Sequence, residues 1–231
     1  MGWISPGWKS RHVAVLALAA LFTLLFLLSR GQWSGMHKWN RAMGDASLVL
    51  VALSMMIGPL ARLFARTRKF LPWRRELGIY GVILALIHAT IILIGWVELD
   101  LMRLIGFEFH PQLQRYVMFQ QGFGLANIVG IFALLYAGVL ALTSNDLSQR
   151  WLGASVWKYV QQGTYVLWWL IVLHTGYFLF LHFQDFHRQV PDPNWAQWPF
   201  VGLVVLVSAL QFAASVRTWR MKNNKAAPAV S

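Results

Sequence analysis

The chain has 231 residues, 58% of them hydrophobic and only 12% charged, with 13 Trp, 15 Phe, no Cys and a formal net charge of +12. A soluble domain carries roughly 25% charged residues, so most of this surface is not made to face water. The lack of cysteine excludes disulfides, Cys-ligated zinc, iron–sulfur clusters and covalently attached c-type haem. The basic residues lie between apolar runs rather than in one patch, which argues against nucleic acid as a partner and for membrane lipid.

In chain order, six stretches approach the ~20 apolar residues needed to cross a ~30 Å hydrocarbon core: 13–29, 46–61, 77–97, 122–144, 159–181 and 198–216. Lipid offers no partner to free backbone groups, so each is expected to be helical. Lys9 and Arg11 imitate the start of a signal peptide, but no small-residue cleavage site follows at 28–31, and the first stretch reads as a retained span. The fold class is therefore all-α, a polytopic six-helix bundle over residues 1–220, with 221–231 as a disordered tail.

Fourteen Lys and Arg fall on the side of the termini, six of them in the second loop, against six on the opposite side. The positive-inside rule then places both termini in the cytoplasm. Trp33, Trp39, Trp96, Trp195 and Trp198 fall at the outer ends of the spans, and Trp73, Trp151, Trp157 and Trp219 at the inner ends, as aromatic belts require. The two outer loops, 98–121 and 182–197, are the longest and contain Pro111, Pro191 and Pro193; partly ordered structure is expected there.

Ionisable groups at membrane depth are costly and usually face the bundle interior. His88 lies 13 residues beyond Arg75 and His174 lies 16 beyond Lys158, which at 1.5 Å per residue puts them about 20 and 24 Å along spans of the same direction. Their depths match and the two rings could face each other. Either alone reads as a hydrogen bond to a neighbouring helix. Together, in a cysteine-free bundle, they point to axial ligation of a b-type haem. Gly81, Ala85 and Gly95 share the His88 stripe of their helix and would admit a porphyrin edge.

Other polar residues carry less specific signals. His182 and His187 follow the fifth span and are candidates for a second haem nearer the surface, with His110 or Met102 as partner. Arg74 and Arg75 read as a cytoplasmic anchor or as a salt bridge to haem propionates or another anionic cofactor, and Glu76 as their neutralising neighbour. Asn127, Gln161, Gln162 and Thr164 read as interhelical hydrogen bonds, and Trp168 and Trp169 as aromatic packing.

On these residues the sequence resembles the ferric-reductase-like transmembrane domain superfamily. Its nearest likeness is to the MsrQ branch, the haem b membrane subunit serving a periplasmic methionine sulfoxide reductase. Ile57-Gly58-Pro59-Leu60-Ala61-Arg62-Leu63 is similar to the family's close of span two, and Arg74-Arg75-Glu76-Leu77-Gly78 followed by His88 to its Arg-Arg-x-Leu-Gly…Leu-His pattern. Leu142-Thr143-Ser144-Asn145, Leu152-Gly153, Trp157, Tyr165 and His174 resemble a third segment in the same order. The resemblance implies a six-helix bundle in a bacterial-type inner membrane, holding b haem through His88 and His174. Gln161 stands where family members commonly carry a further His, which leaves open whether one haem is held or two.

The sequence reading is thus a transmembrane electron-transfer subunit. Electrons from a separate cytoplasmic flavin reductase, with FMN or FAD, or from a membrane quinol would pass by haem to a periplasmic redox partner. No Gly-rich nucleotide fingerprint accompanies the spans. The rival reading is a non-redox transporter or assembly factor whose histidines only join helices.

Overall fold

The computed structural model describes residues 7–182 and 194–226, and its element order is almost wholly helical. Six helical spans are long and apolar enough to cross a membrane. The first two are α1 (Trp8–Ser29) and α2 (Gly35–Leu63). The third is α3 (Trp73–Ile91), prolonged by a π-helical turn over Ile92–Trp96. After it come α4 (Leu101–Leu104), the strands β1 (Phe107–His110) and β2 (Arg115–Met118), and the fourth span α5 (Gln121–Thr143). Then α6 (Asp146–Leu152) leads to the fifth span, built from α7 (Ala154–Gln162) and α8 (Thr164–Gly176) with a second π-helical turn, Tyr177–Leu181. The last span is α9 (Gln197–Ala226).

Every span begins before its apolar run, and α2 and α9 also end after theirs, because polar and aromatic flanks, with Lys and Arg that reach out to water, extend these helices past the hydrocarbon core. α9 continues through Met221 and Lys222 to Ala226, past the start of the tail expected at 221–231, of which 227–231 lie outside the described residues. Leu28, Leu142 and Phe212 are broadly exposed, as side chains turned to lipid tails are. The long loop 98–121 is ordered: Asp100 caps α4 by accepting from the amides of Met102 and Arg103, and an antiparallel hairpin pairs Phe107 with Met118 and His110 with Arg115. Of the other long loop, 183–193 lie outside the described residues.

Three contacts fix how the helices cross. Ser47 of α2 donates to the carbonyl of Gly81 in α3 at 2.8 Å, and a Cβ on Gly81 would lie 3.0 Å from Val51, so the two backbones meet here. Pro59 has no N–H for the carbonyl of Met55, four residues back, and Gln211 of α9 donates to that carbonyl instead at 2.9 Å. Arg11 of α1 pairs with Glu76 of α3 at 3.0 Å, with Glu76 only 1% exposed. Glu76 therefore clamps α1 rather than neutralising Arg74 and Arg75, the role read for it in the sequence. Trp168 is buried among Val51, Met55, Phe200 and Val207, while Trp169 is exposed.

Candidate functional site

The site is built where α3 and α8 approach α2 and α5, towards the end of the bundle that carries the hairpin. His88 ends the regular part of α3 and His174 that of α8, and each is followed within four residues by the π-helical turn of its helix. Such turns widen a helix by one residue and recur at functional sites. The two imidazole rings are neighbours, with centroids 6.3 Å apart and planes at 88°.

Each ring is held in the same way. His88 Nδ1 donates to the carbonyl oxygen of Asn40 in α2 at 2.9 Å, and His174 Nδ1 to that of Ala126 in α5 at 2.8 Å. A carbonyl accepts only, so Nδ1 carries the proton in both rings and Nε2 keeps its lone pair. This is the arrangement usual for metal-binding histidines, whose second nitrogen is tied to a carbonyl or carboxylate. Among the described residues no group of three or more His, Cys, Asp or Glu could hold a metal ion by itself. Two neutral imidazoles, each with Nδ1 tied to a backbone carbonyl, are the kind of donors a bis-histidine haem would take.

Two glycines that the sequence reading missed make room for the rings. A Cβ on Gly44 of α2 would lie 3.1 Å from His88 Nδ1, and one on Gly130 of α5 would lie 2.7 Å from two atoms of the His174 ring. Gly44 is four residues past Asn40 and Gly130 four past Ala126, one helical turn beyond each acceptor, a register that has meaning only once the two acceptors are known. Gly81 and Gly95, the glycines read as porphyrin relief, lie against α2. Gly81 packs on Val51 and Ser47, and Gly95 on Met36, so this stripe, which also holds Ala85, turns to α2.

Arg74 and Arg75 lie at the other end of α3 from His88. They sit 14 and 13 residues before His88, about 20 Å away along α3. Arg74 Nε donates to the carbonyl of Ser54 at 3.3 Å while Ser54 Oγ donates to that of Arg74 at 2.9 Å, and Arg75 lies 3.5 Å from Asp146. Both line a cavity of about 1360 Å³ at the opposite, basic end, together with Arg62, Tyr165, Gln161 and Gln211.

Gln161 donates to Thr143 Oγ1 at 3.0 Å and accepts from Ser144 at 3.3 Å, joining α7 to the end of α5 as its interhelical reading expects. His182 is buried against Phe123, Tyr177 and Phe178, with ring centroids 5.2–5.9 Å away. His110 is turned into the hairpin loop, accepting from the Leu113 amide at 3.3 Å. His187 lies outside the described residues.

Residues 43–172 match the ferric reductase like transmembrane component family, a stretch of more than half the chain that holds Gly44, His88 and Gly130 and stops two residues short of His174. This multi-pass membrane protein therefore belongs to the ferric reductase like transmembrane family and has a membrane electron-transfer function.

Proposed function

We propose that the chain is a b-type cytochrome subunit of the MsrQ kind, in a bacterial-type inner membrane with both termini in the cytoplasm. It would take electrons from a cytoplasmic flavin reductase or a membrane quinol and deliver them to a periplasmic redox partner. The observation that carries the reading is the His88–His174 pair, 6.3 Å between centroids with both Nδ1 atoms committed to backbone carbonyls. His88 and His174 would hold the haem, which when bound supplies a one-electron couple inside the bilayer. Asn40 and Ala126 orient the rings, and Gly44 and Gly130 let them lie close to their helices.

The cavity at the basic end supports electron uptake there. Its cationic rim, with Arg62, Arg68 and Arg217, would attract an anionic flavin or the acidic face of a reductase. Its apolar depth, with Val51, Met55 and Leu167, would admit a quinol head. The dithionite-reduced minus oxidised spectrum of purified protein tests the reading, with b-type bands and one haem per chain expected. A spectrum without haem bands would leave the histidines as ties between helices in a non-redox membrane protein.

A further inference from the structure

A buried ion pair beside His88 has no part in the reading so far. Arg30, at the end of α1 and only 1% exposed, pairs with Asp45 of α2 and donates to Asn194 Oδ1 at 2.9 Å. Its guanidinium also lies 5.2 Å from the centre of the Trp195 ring, while its Nε has no hydrogen-bond partner among the described residues. Asp45 directly follows Gly44, the residue against which the His88 ring rests. The other cation of this cluster, Arg41, one turn before Asp45, is turned onto the ring of Trp33 at 3.8 Å.

Charges at membrane depth are expensive, and a buried ion pair can often be replaced by apolar residues with no loss of stability. A buried charged pair one residue from the His88 contact is placed to act on that site through space as well as to join α1 to α2. A fixed charge in a medium of low dielectric acts over many ångströms. Ferric haem carries one more positive charge than ferrous haem, so a nearby carboxylate favours the ferric form and a nearby guanidinium the ferrous form.

We infer that Asp45 and Arg30 are positioning residues that set the reduction potential of a haem held by His88, in opposite directions; this rests on the haem reading above. A unit charge acting over about 10 Å at an effective dielectric of about 20 shifts an equilibrium roughly tenfold, which for a one-electron couple is about 59 mV.

The test is a redox titration of the purified full chain, followed by its haem absorbance. Asp45→Asn should raise the midpoint roughly tenfold in equilibrium terms, Arg30→Gln should lower it, and Asp45→Glu, which keeps the charge, should leave it in place. A merely structural pair would not give shifts of opposite sign. Unchanged midpoints in both neutral variants, or shifts of the same sign, would overturn the inference while the wild-type haem spectrum leaves the cofactor reading standing. Wild-type protein without haem would instead overturn the cofactor reading and this inference with it. If Asp45→Asn yields no haem-containing protein, the sign of the Arg30→Gln shift decides.

Discussion

Gly130 stands so close to His174 that a single methyl group added to it would meet two atoms of the imidazole at 2.7 Å. Contacts this short require the ring or the α5 backbone to move, and overpacking of this kind costs about 1–3 kcal/mol. Gly130→Ala should therefore displace the ring and lower haem content well below that of the wild type. Gly138→Ala, on the same helix with nothing within 4 Å of its added Cβ, should leave content unchanged. Haem-to-protein ratios of the two variants check this, and equal ratios would show that Gly130 does not shape the site.

The bond between Gln211 and the carbonyl of Met55 replaces the one that Pro59 cannot make. Removing it with Gln211→Ala should lower thermal stability in detergent by about 1 kcal/mol. In a Pro59→Ala background the helix can supply its own N–H, and the loss should shrink. A double-mutant cycle of unfolding midpoints measures this coupling; independent effects would contradict it.

Glu76 is only 1% exposed and Arg11 11%, so removing the carboxylate takes a charge partner from a largely buried guanidinium. Glu76→Gln should destabilise the bundle by about 3–5 kcal/mol. Thermal or denaturant unfolding in detergent reads this directly, and a loss below 1 kcal/mol would mean that water reaches the pair.

Much of this architecture is legible in the sequence, because span length and the depth of His88 and His174 depend only on helical rise and on where charge stops. What each helix meets is a different matter. The period of 3.6 puts Gly81, Ala85, His88 and Gly95 on one stripe, and the structure agrees; it does not say that α2 is the neighbour. For the same reason Gly44 and Gly130 were not legible as site residues, since their role comes from a histidine on another helix. The hairpin and the π-helical turns follow from local hydrogen bonding, such as Val97 N to Ile92 O at 3.0 Å, that apolar periodicity does not encode.

The proposed orientation, with both termini in the cytoplasm, rests on fourteen Lys and Arg on one side against six on the other. A topology reporter fused after Ser231 should report the cytoplasm and one inserted within 185–194 the opposite side. The same location for both would contradict six spans.

Electron uptake through the basic end should depend on salt, because the cavity rim attracts anions and the Debye length falls from about 10 Å at 0.1 M to about 3 Å at 1 M. Stopped-flow reduction by a flavin reductase should slow as ionic strength rises. A rate that does not respond would favour a quinol arriving through the bilayer.

The most direct test of the central claim is the reduced minus oxidised spectrum of the His88→Ala and His174→Ala variants beside the wild type. With one imidazole gone, six-coordinate low-spin ligation cannot persist. Each variant should remain in the membrane and lose most of its b-haem absorbance. Full haem content with an unchanged spectrum in both would show that these two histidines are not its ligands.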